Sequence, residues 1–341
     1  MANDLVRRYD TREAWLQART IGIGASESPA ILGVSPYKSA LQLYYEKTGT
    51  EPITFGEKEA LQWGKVLEQP IAKRYAEETG RTVVFDEAPF VIRQHPDLDF
   101  MIATIDAGVS GFGADDQAAR GLNLQGHGTL EIKNVNSYVG QRWTGPQEPP
   151  VEFMVQLQHQ LFVTGDQWGS IAALIGGVFF VWADIRRDDE FIGLLVRDVE
   201  AFVTRVRDRR PPPADDSTMT AELLQRLYPR EKARTIQLPV DLEEPVAKWL
   251  QIKAEIKDLE SKKRGFENAL RDLMGDANLA QLPNGDQFTL KTRKEYTVQP
   301  FTVKASRLLK FIPKKGPKRI AGRPAPLELT AGEEESESND E

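Results

Sequence analysis

The side chains best suited to chemistry lie in and around Gly128-Thr129-Leu130-Glu131-Ile132-Lys133-Asn134-Val135. Apolar and polar residues alternate there, with β-branched members, which predicts a strand with two distinct faces. Leu130, Ile132 and Asn134 point one way, and Thr129, Glu131, Lys133 and Val135 the other. Glu131 and Lys133 therefore share a face with Cα atoms about 6.5 to 7 Å apart, within reach of one substrate atom. Asp106 ends the run Phe100-Met101-Ile102-Ala103-Thr104-Ile105-Asp106, expected to be the neighbouring strand and to add a second carboxylate. Two carboxylates and a lysine near a core are costly unless a cation resides among them. Oxygen ligands completed by water suit Mg²⁺ or Mn²⁺. The lysine is then free to orient or deprotonate a water that attacks phosphorus. A Glu-x-Lys pair alone is most often a solvated strand face, so the rest of the chain has to decide.

Other segments offer parts of such a site. Arg19-Thr20-Ile21-Gly22-Ile23-Gly24-Ala25-Ser26 is a glycine-punctuated turn that delivers Ser26 to the start of a short helix. Free backbone N–H groups, a hydroxyl and Arg19 would bind a phosphate there, or Ser26 is a helix cap beside a salt-bridged arginine. In Trp63-Gly64-Lys65-Val66-Leu67-Glu68, Gly64 permits close backbone approach and Glu68 lies four residues on, either facing the sheet or solvated. Glu152, Gln156 and Gln160 recur every four residues along the apolar run from Val151 to Gly165. That stripe faces solvent, or its neutral amides orient a water or a base.

The elements that must position these residues follow from caps and periodicity. A helix is expected from near Thr11, a second over 39–47, and a long third over 57–79 closed by Gly80. Strands are expected over 81–85 and 89–93, then the run ending at Asp106, with 107–127 an extended hairpin loop. After the helix over 151–165 come strands 169–175, 178–185 and 191–196, and a helix over 197–209. The proline-rich segment 211–217 reads as a linker and domain boundary. The first part is thus an α/β or α+β core, a central mixed sheet flanked by helices. Beyond the linker, Trp249, Ile252, Ile256, Leu259, Phe266, Leu270 and Leu273 form a heptad-like seam interrupted at Lys263. It predicts a long helix, or a helical hairpin bent near Gly265, used for packing or self-association, and Asn284-Gly285 closes a β-hairpin. Residues 312–341, a basic arm and an acidic tail, are expected to be disordered.

Composition narrows the classes. The 341 residues contain no cysteine, which excludes disulfides, thiolate zinc sites, iron–sulfur clusters and a cysteine nucleophile. The three histidines, His95, His127 and His159, lack ligand spacing, so any metal is held mainly by oxygen. No apolar run reaches the length of a membrane span and no signal-peptide core opens the chain, giving the expectation of a cytoplasmic protein. The net charge is −7, yet Lys304 to Arg323 holds eight basic residues and no acid, ahead of the acidic end.

Taken in order, Arg19 and Ser26, Trp63-Gly64 with Glu68, Asp106, Glu131-Ile132-Lys133, and Gln156 in Phe153-Met154-Val155-Gln156-Leu157-Gln158 resemble the YqaJ-type viral recombinase family. This is the lambda-exonuclease branch of the restriction-endonuclease-like, PD-(D/E)xK nucleases. The likeness spans about Arg12 to Arg210, and Ile105 stands where the family name has its proline. It implies a nuclease domain over 1–210; the linker and the C-terminal extension over 218–311 lie outside the likeness. It also implies that Asp106, Glu131 and the Ile132 carbonyl hold Mg²⁺, with Glu68 supporting a second ion or the attacking water. Lys133 would orient and activate that water, Gln156 would help hold it, and Arg19 with Ser26 would bind a 5′-phosphate. The implied activity is 5′-to-3′ digestion of one strand of linear duplex DNA, leaving 3′ overhangs. Implied partners are duplex DNA ends, a single-strand annealing protein and further copies of the chain in a toroidal trimer. Two alternatives stay open: an endonuclease or single-strand nuclease on the same core, and a non-catalytic DNA-binding recombination accessory protein.

Overall fold

The computed structural model describes residues 5–51, 59–111, 124, 126–145 and 147–294. In chain order the elements are β1 (Leu5–Arg8), α1 (Arg12–Arg19), β2 (Ile23–Gly24), α2 (Ser28–Ile31), α3 (Ala40–Lys47), α4 (Glu59–Thr79), β3 (Thr82–Val84), β4 (Val91–Gln94), β5 (Met101–Ala103), β6 (Ala107–Ser110) and β7 (Gly128–Val135). There follow α5 (Ser137–Gly140), α6 (Val151–Thr164), β8 (Trp168–Ile175), β9 (Phe179–Arg186), α7 (Asp189–Arg207), α8 (Thr218–Leu227), α9 (Glu243–Met274), β10 (Leu279–Gln281) and β11 (Gln287–Thr289). The mixed α/β fold expected from the sequence is present, with mixed sheets flanked by helices.

The central sheet has the order β3-β6-β7-β8-β9, with only β7 and β8 parallel. A parallel pair needs a crossover, and α6 provides it. The second sheet, β1-β4-β5-β2, lies across α6, which packs on β5 as well as on β7 and β8. Caught between two sheets, α6 is buried on nearly all sides, including Val155, Leu157, Leu161 and Val163. It ends where Gly165 takes the left-handed conformation at φ 79°, open to glycine without a Cβ penalty.

The two faces of β7 are filled differently. Leu130 and Ile132 pack with Ile71, Ala72 and Tyr75 of α4 and with Trp168 and Ala172 of β8. Register sets Glu131 beside Ile171, which packs with Phe153, Leu157 and Leu161 of α6. At the β8–β9 end, buried Arg81 clamps Asp184 with two hydrogen bonds of 2.7 and 2.8 Å and donates to the Tyr75 hydroxyl at 2.6 Å. Its guanidinium also lies over Trp168 and Trp182. A charge so deep in apolar surroundings is tolerable only when paired and hydrogen-bonded in this way.

Several expectations are corrected. The run ending at Asp106 is not the strand beside β7: β5 stops at Ala103 and belongs to the second sheet. The neighbour of β7 is β6, inside the stretch expected to be loop, with Ala107 opposite Leu130. Residues 191–196 are helix, part of α7, because Asp188 caps the Phe191 N–H and Ile192, Leu195, Val199 and Phe202 recur at helical spacing. Of the two alternatives at Gly265 the long helix forms, since α9 runs unbroken over 32 residues. By packing, the chain divides into units Met1–Tyr228 and Pro229–Glu341. α8 belongs to the first unit, with Leu223 fully buried and Thr220 Oγ1 donating to Ser39 Oγ at 2.8 Å. The β-hairpin at Asn284-Gly285 forms as expected, and the basic arm and acidic tail lie outside the described residues. Among the described residues no helix is long and apolar enough to cross a membrane.

Candidate active site

Glu131 is 2% exposed, and three donors hold its carboxylate. Gln156 Nε2 donates to Oε1 at 2.7 Å, Gln160 Nε2 donates to Oε2 at 2.6 Å, and Lys133 Nζ lies 2.5 Å from Oε1. The second atom of the Gln156 amide closes the ring, since its Oε1 accepts from Lys133 Nζ at 2.9 Å. Lys133 also lies over the Phe153 ring, 5.0 Å from its centroid. Burial alone would lower the Lys133 pKa, but the Glu131 and Asp106 carboxylates outweigh it and raise it.

Asp106 stands immediately before β6, at the point where the β6–β7 ladder ends. Its Oδ2 accepts from the Ile132 N–H at 2.8 Å, continuing the ladder with a side chain. In an antiparallel pair a residue's N–H and C=O leave the strand on one side, so the Ile132 carbonyl also leaves toward Asp106. Burial and the nearby Glu131 charge push the Asp106 pKa well above the usual carboxylate range. Glu68 comes from α4, on the opposite face of the sheet from α6. It is half-buried, and burial, with Glu131 adding repulsion, raises its pKa although Lys65 opposes this.

The Arg19–Ser26 segment docks on α6 as well, through the 3₁₀ turn Ala25–Glu27. Ser26 is exposed. The Arg19 guanidinium stacks over Trp15 at 4.7 Å from the ring centroid, and burial lowers its pKa while Glu27 opposes the shift. Glu27 Oε2 accepts from the Gly24 N–H at 2.8 Å and pairs with Lys47 Nζ at 2.8 Å. Lys47 in turn donates to the Arg19 and Gly22 carbonyls at 3.0 and 2.7 Å. The segment is therefore held from its backbone, with Ser26 at its surface.

The structure thus gathers Asp106, Glu131, Lys133 and Gln156 around one strand edge, with Glu68 near enough to feel Glu131. Arg19 and Ser26 stand on a separate segment joined to the same helix. Three contributors were not singled out from the sequence. Gln160 was visible as a member of the four-residue stripe, and its amide donates to Glu131 Oε2. His159 and Ser28 form a buried link: His159 Nε2 donates to the Ile102 carbonyl at 3.0 Å, so its Nδ1 accepts from the Ser28 hydroxyl at 2.6 Å. No spacing rule foretells that pair, which lies 131 residues apart. The third member of the stripe, Glu152, serves structure, gripped by Arg142 through bonds of 2.5 and 2.7 Å.

Among the described residues no three His, Asp or Glu side chains come close enough to cage a metal by themselves. A buried and a half-buried carboxylate with a carbonyl on the same edge nevertheless match the hard-oxygen, partly hydrated coordination of Mg²⁺. Glu131 retains acceptor capacity, because its three donors use fewer than the roughly four lone-pair sites of a carboxylate. A cation would also relieve the repulsion that raises Asp106.

Residues 14–167 match the YqaJ-like viral recombinase domain. Over 278 residues the chain is 31% identical to protein YqaJ of Bacillus subtilis (strain 168), covering 80% of this chain and 82% of that one. The chain belongs to the YqaJ-like viral recombinase family. Among solved structures it is similar to the alkaline exonuclease LHK-Exo from Laribacter hongkongensis, with 22% identity, 58% of this chain and 94% of that chain covered, and a TM-score of 0.44. The complex of LHK-Exo with dAMP aligns at 24% identity over 63% of this chain and 96% of that chain, again with a TM-score of 0.44.

Proposed function

We propose that this chain is a Mg²⁺-dependent 5′-to-3′ exonuclease. It digests one strand of linear double-stranded DNA from 5′-phosphorylated ends and leaves 3′ single-stranded overhangs for phage-type recombination by strand annealing. The observation that carries this reading is the convergence of Asp106, Glu131 and the Ile132 edge of β7 with a lysine tethered to the same carboxylate. Family membership supports it.

In this reading Asp106, Glu131 and the Ile132 carbonyl hold Mg²⁺, or Mn²⁺ in its place, with Glu68 supporting a second ion. The metal supplies Lewis-acid stabilisation of charge on the phosphoryl and leaving oxygens. Lys133 donates to the attacking water and orients it, as its ammonium already donates to Gln156. Gln156 keeps both Glu131 and Lys133 in place, and Gln160 fixes the far oxygen of Glu131. Arg19 and Ser26 bind the terminal 5′-phosphate, with Lys47 and Glu27 bracing the turn that carries them. Binding energy at such a pocket favours the complex advanced by one nucleotide, which would keep the enzyme on its strand. A single-strand annealing protein and further copies of the chain, in a trimer, complete the proposed assembly, which works in the cytoplasm.

The test is purified protein with Mg²⁺ on 5′-phosphorylated and 5′-hydroxyl linear duplexes beside a covalently closed circle. Faster loss of the phosphorylated duplex, with the circle intact and chelator abolishing turnover, is expected. Cutting of the closed circle would establish an endonuclease instead, and no digestion of any substrate would leave a DNA-binding accessory role.

A further inference from the structure

The long helix α9 presents a seam that, among the described residues, is left largely exposed. Residues 249, 252, 256, 259, 263, 266, 270 and 273 recur in alternating steps of three and four, the spacing of coiled-coil core positions. All are apolar except Lys263. Trp249 and Leu270 are half-buried, whereas Ile252, Ile256, Leu259, Phe266 and Leu273 are between 45% and 84% exposed. From Trp249 to Leu273 the seam is about 36 Å long at helical rise. A strict seven-residue repeat of this length favours supercoiling around another helix over a solitary existence in water.

The charges beside the seam say which helix that is. Lys248, Glu255 and Lys262 precede the core positions on one flank, and Lys253, Glu260 and Glu267 follow them on the other. In a parallel pair, one flank meets the opposite flank of the partner about five residues on, which sets Lys248 against Lys253 and Glu255 against Glu260, with only Lys262 against Glu267 attractive. Like charges at these places destabilise the pair. In an antiparallel pair each flank meets itself. With Ile256 against Leu259 of the second copy and Trp249 against its Phe266, Glu255 meets Lys262 and Lys253 meets Glu260, each twice by symmetry. Sliding by one heptad either way brings Glu255 to Glu255 or Lys262 to Lys262. Orientation and register are therefore both selected, and Lys263 falls opposite Ile252, where its long stem can reach out to solvent. The pairs made within one helix, such as Lys262 with Asp258 at 2.7 Å, are exposed and exchange at small cost.

We propose that α9 pairs antiparallel with α9 of a second copy of this chain, in the register that sets Ile256 against Leu259. Being two-fold, this interface joins chains of different trimers rather than closing one; it rests on α9 alone and stands independently of the nuclease chemistry.

Sedimentation equilibrium of the full-length protein tests it. E255K places lysine against Lys262 of the second copy and should weaken association about tenfold. E255K/K262E should restore it, with equal helix content by circular dichroism in all variants. Stronger association of E255K would indicate the parallel pair, and an unchanged constant or a monomeric wild-type chain would equally overturn the proposal. Because the chain has no cysteine, introduced thiols report orientation directly. Oxidation of a W249C and F266C mixture should yield the crosslinked heterodimer, with little self-crosslinking of W249C. Self-crosslinking of W249C without the heterodimer would overturn the orientation.

Discussion

Glu131 is the residue on which the site turns, because a carboxylate this deep is stable only while its donors stay in place. Lys133 and Gln160 hold opposite oxygens and should fail differently. Lys133→Ala removes the donor proposed to face the water, so turnover should fall by about 10²- to 10³-fold while DNA affinity is retained. Normal turnover in single-turnover assays of that variant would refute the role. Gln160→Leu strips Oε2 of its amide without touching the water side. It should cost about 1–3 kcal/mol of stability, with a smaller loss of rate, read from urea unfolding and initial rates together. His159 supplies a pH test. Burial holds its pKa down at about 4 while the Ile102 carbonyl opposes this. In the unfolded chain it titrates near 6.5. The unfolded state therefore binds the extra proton first, and this contribution is complete above about pH 6.5 and lost as pH falls toward 4. The loss amounts to about 3 kcal/mol. Unfolding free energies across that range should slope in the wild type and flatten in His159→Gln, whereas equal slopes would show that His159 does not titrate as described.

At the scale of elements, β7 and α6 are built for each other: a strand with Glu131 and Lys133 on one face meets a helix with amides every fourth residue. The opposite face of β7, toward α4, depends on a small residue where it meets Trp168 of β8. A Cβ on Gly128 would fall 2.5 Å from the Trp168 ring. That ring is 1% exposed and lies beneath Arg81, so it has no room to yield. Gly128→Ala should lower stability by about 1–3 kcal/mol, seen as a reduced urea midpoint at constant slope, and an unchanged midpoint would mean the strand shifts freely. Most of these elements were legible from local rules. The helices expected from near Thr11 and over 39–47 form, with Thr11 and Ser39 as their caps, and Gly165 ends α6. Residues 191–196 misled because a short β-branched and apolar run satisfies strand and buried-helix patterns alike, and only the Asp188 cap and the packing of Leu195 and Val199 separate them.

For the whole molecule, the division after Tyr228 makes α8 part of the first unit despite the proline-rich segment before it. A fragment ending at Tyr228 should unfold at the temperature of that unit in the intact chain. One ending at Arg210 loses the buried Leu223 and the Thr220–Ser39 hydrogen bond. It should be less stable by about 2–4 kcal/mol. Equal melting temperatures for the two fragments in calorimetry would put the boundary back at the prolines.

What the sequence determined by itself was the mixed α/β fold, the family and the residue types of the candidate site. Residue types, a two-residue spacing on a strand and a four-residue spacing on a helix are local properties, written directly into the order of the chain. Which strand stands beside Glu131 was decided only in three dimensions. Asp106 reaches the site from the head of β6 because the chain leaves one sheet after Ala103 and enters another at Ala107, a choice made by the packing of α4 and α6. The same holds for Gln160 and the Ser28–His159 link, whose partners are distant in sequence. Their geometry comes from the requirement that every polar group buried between two sheets find a partner wherever the fold brings one.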